Sequence, residues 1–140
     1  MRNWLYKGKA IQPGELEGKK AFVYLITNKK TGRKYYGKKR LQFTRTRKKP
    51  GKIRRTKTVK ESNWRDYWGS SKELLADIEK YGEASFIREI VRICTTLGEA
   101  SYYEAKLQFQ HDVILYPDKF YNTFVGCRIH AKHLKINKYN

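Results

Sequence analysis

Apolar and polar positions first predict a β-hairpin in the N-terminal third of the chain. Residues 21–27 form an apolar run rich in β-branched and aromatic side chains, and turn-prone residues follow at 28–32. Residues 34–37 can form a second strand. The pattern therefore indicates two antiparallel strands joined by a loop that carries Gly32.

A helix and a third strand are predicted further along. Apolar side chains recur at helical spacing at Leu74, Leu75, Ile78 and Tyr81. Ser70 or Ser71 can cap this helix at its N-terminus, and Gly82 follows as its stop. Residues 86–94 are largely apolar with an alternating character, and we predict that they form the third strand.

A second helix is predicted from about residue 98 to about residue 115, with Pro117 ending it. One face of this helix carries Ala100, Tyr103, Leu107, Gln110 and Ile114. The order of the elements is two strands, a polar insertion, a helix, a strand and a helix. This order predicts an α+β fold, in which a small antiparallel sheet of about three strands is flanked by helices.

The length of the chain indicates a single domain. Its 140 residues are enough for one core and too few for two ordinary domains. We place the domain at 21–126, between an N-terminal arm at 1–20 and a basic tail at 127–140. The arm mixes charges with proline and glycine, so we expect it to be loosely ordered, with Trp4 docked on the core and regular structure beginning at Ala21.

The charge of the chain indicates a polyanionic partner. Lys and Arg number 32 against 13 Asp and Glu, which gives a formal net charge of +19. So large a charge opposes compaction unless a polyanion relieves it, and nucleic acid is the commonest such partner. A basic surface that is merely solvated is the alternative.

Membrane, secretory and zinc-binding classes find no support in the sequence. No apolar run approaches the ~20 residues that span a bilayer, and the N-terminus lacks a secretory signal. Cys94 and Cys127 do not stand at zinc-ligand spacings, so we interpret both as reduced, buried residues. We therefore expect an intracellular protein without a membrane partner.

A basic insertion separates the hairpin from the first helix. Residues 38–60 contain twelve basic residues and no acidic one. The segment is too polar for a core, and 53–59 alternate like a solvent-facing strand, so we predict a basic finger that contacts DNA. The candidate nucleic-acid-binding residues are Lys38, Arg40, Arg47, Lys48, Lys49, Lys52, Arg54, Arg55 and Lys57.

Two tyrosine motifs stand on the predicted hairpin. They read Phe22-Val23-Tyr24 and Tyr35-Tyr36-Gly37, and Tyr24 and Tyr35 are eleven residues apart on adjacent strands. This pair resembles the signature of the GIY-YIG nucleases, with Phe for the first Gly and Tyr for the middle Ile. Several later stretches resemble phage-encoded members of that family, which are homing or free-standing endonucleases.

The family pattern continues with an arginine, a glutamate on a later helix and an asparagine after it. Glu104 and Asn122 match the last two in order and spacing. Arg45 stands ten residues after Tyr35, where the resemblance places the arginine, while Arg40 and Arg47 are close rivals in the same basic run.

The chemistry of phosphodiester hydrolysis suits the acidic and basic members of this set. One carboxylate can hold a hard cation whose other ligands are waters, and Glu104 is our candidate to hold Mg²⁺ or Mn²⁺. A guanidinium offers forked donors to phosphate oxygens, which is the role we assign to Arg45. A second metal ligand at His111 is the weaker option, because metal sites normally need further ligands.

The resemblance supplies roles for the other residues. Tyr24 would act as the base, its phenol pKa lowered by neighbouring positive charge. Tyr35 would orient the attacking water or bind phosphate, Lys39 would add positive charge, and Asn122 would donate hydrogen bonds that hold the site together.

Each of these residues also has a structural interpretation. Strand tyrosines are commonly half-buried sheet residues, and a lone helical Glu104 commonly pairs with a neighbour such as Lys106. Asn122 can be a turn residue that bonds its own backbone. We expect Trp64, Tyr67 and Trp68 to pack in the core rather than stack on bases.

The function predicted from the sequence is therefore metal-dependent endonuclease activity on duplex or branched DNA. The resemblance implies products with 5′ phosphate and 3′ hydroxyl ends, and a phage or mobile-element origin that would place the protein in the cytoplasm of a bacterial host. The alternatives are a non-catalytic basic nucleic-acid-binding protein and an RNA-directed protein of the ribosomal kind. The oligomeric state is left open, with a homodimer as one option.

Overall fold

A mixed five-stranded sheet forms the frame of the fold. The computed structural model describes residues 3–48, 51 and 55–126. The strands are β1 (Leu5–Tyr6), β2 (Lys9–Ala10), β3 (Ala21–Asn28), β4 (Lys34–Arg40) and β7 (Phe86–Cys94), in the order β2-β1-β7-β3-β4. β3 pairs antiparallel with both β4 and β7, while β1 runs parallel to β7.

The expectation of a sheet of about three strands is wrong, because the N-terminal segment supplies two more. Regular structure begins at Leu5 and not at Ala21. Trp4 is 1% exposed, and its indole Nε1 donates a 2.7 Å hydrogen bond to the Trp64 carbonyl. The docking of Trp4 is thus confirmed, and burying so large a side chain stabilises the two short strands beside it.

The predicted hairpin is confirmed as β3 and β4. The Asn28 side chain shapes its loop, since Oδ1 accepts hydrogen bonds from the backbone N–H groups of Lys30 and Thr31, at 2.9 and 3.3 Å. Gly32 then takes a φ of +79°, a left-handed conformation that glycine adopts without strain. These are the local features that turn-forming residues supply.

β3 is buried on both faces, with a helix against each. Phe22, Tyr24 and Ile26 pack with the apolar side of α1 (Lys72–Tyr81). The alternate residues Ala21 and Val23 pack with α2 (Leu97–Gln110). Because side chains alternate along a strand, this single strand supplies both halves of the core.

The first helix agrees with its prediction. The Ser71 hydroxyl accepts a 3.3 Å hydrogen bond from the Leu74 N–H, and Gly82 follows the last turn at a φ of +84°.

The second helix ends at Gln110, earlier than predicted. Asp112 adopts a left-handed φ of +51°, which breaks the helix, and a 3-10 turn follows over Val113–Leu115. Ile114 is consequently exposed and does not continue the apolar face.

The basic insertion forms a separate two-stranded ribbon. β5 (Gln42–Lys48) pairs antiparallel with β6 (Arg55–Glu61). The predicted finger is therefore a β-ribbon in which both halves are strands. Three of the predicted nucleic-acid-binding residues lie outside the described residues: Lys49, Lys52 and Arg54. For five further residues, including the predicted catalytic Arg45, the side chain is not among those described: Arg45, Arg47, Lys48, Arg55 and Lys57.

Because Trp4 holds the N-terminal segment on the core, removing its side chain will destabilise the whole domain. We expect Trp4→Ala to lower the free energy of unfolding by about 3–5 kcal/mol, since it leaves a large cavity and an unpaired carbonyl. Urea denaturation followed by circular dichroism measures the change. Lys9→Ala in exposed β2 is the control and should change stability by less than about 0.5 kcal/mol; equal effects would contradict the assignment.

Candidate active site

A cavity of about 710 Å³ opens beside the edge strand β4. Four of the residues predicted to be catalytic line this cavity. Two further side chains, which the sequence did not single out as catalytic, line it as well. The six are Tyr24, Tyr35, Lys38, Tyr67, Glu104 and Asn122. The residues come from both faces of the sheet, because the cavity lies at its edge.

Tyr24 reaches the cavity by crossing Gly37. The two residues are direct partners in the antiparallel register of β3 and β4. A Cβ added at Gly37 would overlap the phenol oxygen and Cζ of Tyr24, so only glycine fits beneath this ring. The last residue of the second motif therefore has a steric reason to be glycine.

The surroundings of Tyr24 favour its protonated form. Burial raises the pKa of the phenol well above its ordinary value, and Tyr35, Tyr67 and Glu104 raise it further. The sequence argument required a lowered pKa, so the shift in this structure runs in the opposite direction. The described surroundings thus keep the phenol neutral and able to donate a hydrogen bond.

Tyr35 lies next to Tyr24 and is the more accessible of the two. Their ring centroids are 6.2 Å apart. The Tyr35 hydroxyl lies 3.4 Å from the Ser70 hydroxyl, at the start of α1. Burial raises the pKa of Tyr35, and the hydrogen bond with Ser70 partly opposes this shift.

Glu104 faces the cavity from α2. Burial raises the pKa of its carboxyl group, while the positive charge of Lys38 and a hydrogen bond from the Lys38 backbone lower it. Lys38 is also held in place by its own contact, because its Nζ donates a 2.5 Å hydrogen bond to the Ser101 hydroxyl. Lys38, a residue we predicted only to bind nucleic acid, is therefore the lysine beside the carboxylate.

Glu104 suits a cation that keeps most of its water ligands. No group of three or more His, Cys, Asp or Glu side chains that could hold a metal ion occurs among the described residues. His111 stacks on the Tyr36 ring, with the two ring centroids 5.2 Å apart. A single, partly desolvated carboxylate at a water-accessible cavity fits Mg²⁺ or Mn²⁺ and not a closed zinc site.

Asn122 contacts the backbone of the second motif. Its Nδ2 donates to the Tyr36 carbonyl at 2.8 Å, and its Oδ1 accepts from the Tyr36 N–H at 3.1 Å. Gln108 donates to the same carbonyl at 3.2 Å. Since Tyr36 stands between Tyr35 and Gly37, these bonds brace the edge strand at the cavity.

The segment that carries Asn122 is anchored by its neighbour. The Tyr121 hydroxyl donates to Asp77 at 2.7 Å and accepts from the Asn28 amide at 3.0 Å. The Arg33 guanidinium lies 4.1 Å from the centre of the Tyr121 ring. These contacts join the segment to the hairpin loop and to α1.

Tyr67, like Lys38, lies at the cavity although the sequence did not single it out as catalytic. Its ring meets Tyr24 edge-on, with centroids 6.0 Å apart. Its carbonyl accepts a 2.8 Å hydrogen bond from Arg88, whose guanidinium lies between the rings of Trp4 and Trp68 at 4.6 and 4.3 Å. The only sequence signal for Tyr67 was its place in an aromatic turn at residues 63–69.

The remaining predicted cations lie beside the cavity. The Lys39 Nζ is 4.2 Å from the centre of the Tyr67 ring, and burial lowers its pKa. Arg40 is exposed at the end of β4. The choice between Arg40, Arg45 and Arg47 stays a prediction, because the last two side chains are not among those described.

The fold thus brings paired tyrosines on a hairpin, a carboxylate on α2 and a basic β-ribbon close to one cavity. Residues 4–125 match the family model described as "Putative endonuclease segE, GIY-YIG domain". The chain therefore belongs to the GIY-YIG nuclease family, and the match includes the N-terminal strands.

Family membership indicates nuclease activity in general, with nucleic acid as the substrate. No curated protein and no solved structure matches the chain. Across the described ranges, no helix has the length and apolar character needed to cross a membrane. Cys94 is buried, and burial raises its thiol pKa to about 12, which agrees with an inert thiol; Cys127 lies outside the described residues.

The contact between Tyr24 and Gly37 predicts that any side chain larger than hydrogen at position 37 destabilises the fold. We expect Gly37→Ala to lower the free energy of unfolding by about 1–3 kcal/mol, because the added methyl group must displace the phenol. Thermal and urea unfolding measure the effect. Gly14→Ala is the matched control, since a Cβ there meets nothing within 4 Å. Similar stability of both variants would show that the ring does not lie across Gly37.

The raised pKa of Glu104 predicts a stability that depends on pH. Burial disfavours the ionised form of Glu104, so the protonated form contributes to the stability of the folded state. This contribution is fully present below the pKa of glutamate in the unfolded chain, about 4.3. It is lost as the pH rises through the raised pKa of Glu104 in the folded state. Glu104→Gln should therefore unfold at higher urea concentration than the wild type at pH 7.5, with the difference closing toward pH 4. Exposed Glu79→Gln should show no such trend, and a difference independent of pH would contradict the prediction.

Proposed function

We propose that the protein is a metal-dependent DNA endonuclease encoded by a phage or mobile element. The observation that carries this proposal is the convergence of Tyr24, Tyr35 and Glu104 on one water-accessible cavity. A protein that only binds nucleic acid has no need for a partly buried carboxylate among the groups that face the phosphate.

The reaction adds water to phosphorus and breaks the bond to the 3′ oxygen, which leaves as a hydroxyl. Glu104 would hold the divalent cation, Mg²⁺ or Mn²⁺, which supplies charge neutralisation at the phosphate and favours ionisation of nearby groups. Lys38 adds a fixed positive charge next to that carboxylate.

The tyrosines place hydroxyl groups where the scissile phosphate would lie. Tyr35 is the accessible one, and it would orient the attacking water or a phosphate oxygen. Tyr24 carries its proton on the phenol oxygen, so its first contribution is a donated hydrogen bond, and acting as the base requires positive charge to enter the cavity. Asn122 holds the backbone between Tyr35 and Gly37 and acts on the geometry of the strand.

DNA is the proposed substrate because of the charge around the cavity. The net charge of +19 and the ribbon of β5 and β6 both favour a polyanion. A catalytic arginine, for which Arg45 is the first choice, would come from this ribbon. The phage or mobile-element origin rests on the resemblance of the sequence to phage-encoded members of the family.

A plasmid-nicking assay tests the proposal. We expect the wild type to convert supercoiled plasmid to relaxed or linear forms with Mg²⁺ and to stop when EDTA removes the metal. Glu104→Ala should lower the rate by at least about 100-fold, because the cation loses its protein ligand. It should still bind DNA in a gel-shift assay, since removing a negative charge does not weaken attraction to phosphate.

Glu79→Ala is the matched control, because it removes an exposed carboxylate from the other helix and should cut normally. Absence of metal-dependent cutting on plasmid, linear and branched DNA would overturn the enzyme proposal. Retained binding in that case would favour a non-catalytic nucleic-acid-binding protein.

A further inference from the structure

A second, smaller groove adjoins the candidate active site. It has a volume of about 300 Å³ and lies where β4 passes into the basic ribbon. Lys38 and Tyr67 line both cavities, so the two are adjacent. We call it the β4–β5 groove and define it by Lys38, Lys39, Arg40, Phe43, Tyr67 and Leu97.

The chemistry of the β4–β5 groove suits an anion with a flat apolar part. Three consecutive basic residues stand on its wall, and none of the described residues that line it is acidic. Phe43 is an aromatic side chain that remains 42% exposed beside these cations. The Lys39 ammonium lies between two rings, 4.2 Å from the centre of Tyr67 and 6.0 Å from that of Phe43.

The base of the ribbon holds Phe43 in a fixed place relative to the site. Leu41, between β4 and β5, is 6% exposed and packs in the core. The Ser62 hydroxyl donates a 2.5 Å hydrogen bond to the Arg40 carbonyl, and the Ser62 N–H donates to the Leu41 carbonyl at 3.0 Å. An exposed ring two residues from so well-bonded a junction is positioned for binding before the ligand arrives.

We propose that the β4–β5 groove is a subsite for one unstacked nucleotide next to the scissile phosphate. Its base would stack on Phe43, and its phosphate would lie beside Lys39 and Arg40. The proposal rests on the proposed function, since it takes the occupant of the neighbouring cavity to be a DNA strand. A cavity of about 300 Å³ is at the small end of ligand sites and admits one nucleotide and not a duplex.

The requirement for an unstacked base follows from the way aromatic side chains bind nucleic acid. Within a duplex both faces of a base are covered by its neighbours, and a side-chain ring gains access only where a base is flipped, unpaired or terminal. The groove would therefore favour branched, gapped or single-stranded DNA over an intact duplex. It would thereby contribute selectivity for the structure of the DNA next to the scissile phosphate.

Binding and photo-crosslinking test the proposal without depending on cleavage. In a Glu104→Gln background, which separates binding from cutting, Phe43→Ala should weaken binding of single-stranded and flapped oligonucleotides by at least about fivefold. Binding of an intact duplex of the same length should stay within about twofold. Phe109→Ala is the matched control, because it removes an exposed phenylalanine that does not line the groove.

A single-stranded oligonucleotide containing 5-iododeoxyuridine locates the contact directly. After irradiation, peptide mapping of the Glu104→Gln protein should find the crosslink at Phe43, and Phe43→Leu should lose it while remaining folded by circular dichroism. Crosslinks confined to other peptides, or equal losses of affinity for duplex and single strand, would overturn the subsite. A protein that fails to cut DNA but crosslinks at Phe43 would overturn the endonuclease proposal alone.

Discussion

The packing of the Tyr24 ring over Gly37 is the contact on which the site depends. β3 is the inner strand of the hairpin, so a side chain on it would ordinarily stay within the core, as Phe22 and Ile26 do. The ring of Tyr24 reaches the edge of the sheet because Gly37, its partner on the edge strand β4, has no side chain. One strand thereby supplies both the core and the first residue of the site, and the two cannot be altered independently.

A buried cation fixes the opposite side of the cavity. Arg88 is 3% exposed, and burial lowers its pKa to about 10, so it stays charged at neutral pH. A buried charge must be compensated by hydrogen bonds, and Arg88 donates to the carbonyls of Arg65 and Tyr67 at 3.1 and 2.8 Å. This requirement determines where the aromatic turn lies. Tyr67 therefore reaches Tyr24 because of a charge buried in the core behind it.

Local patterns in the sequence were enough to predict the hairpin and the first helix, because turn residues and helix caps act on their immediate neighbours. The N-terminal strands could not be predicted in this way. β1 has two residues, too few to show a period, and its partner Glu89 in β7 is far along the chain. Its place is set by the burial of Trp4, which the sequence did indicate, but a segment rich in charge, proline and glycine gave no sign of the two strands beside that side chain.

The choice between neighbouring lysines shows the same limit within the site. The family resemblance gave Lys39 the role of adding positive charge, and Lys39 shares a strand face with Tyr35 and Gly37. Lys38 points to the other face, where α2 packs, and there it meets Ser101 and Glu104. Sequence periodicity gives the alternation along β4 but not the face on which the carboxylate helix lies. That information comes only from the assembled sheet.

The acidic groups of the cavity oppose one another's ionisation. Burial raises the pKa values of Tyr24, Tyr35 and Glu104, and the carboxylate raises those of both phenols. Positive charge entering the cavity lowers all three pKa values together, and Glu104, whose carboxyl group is the most acidic of the three, ionises first. Ionisation of the partly buried Glu104 carboxyl group thus comes at some cost to the folded state. Such a cost is typical of residues placed for chemistry rather than for stability.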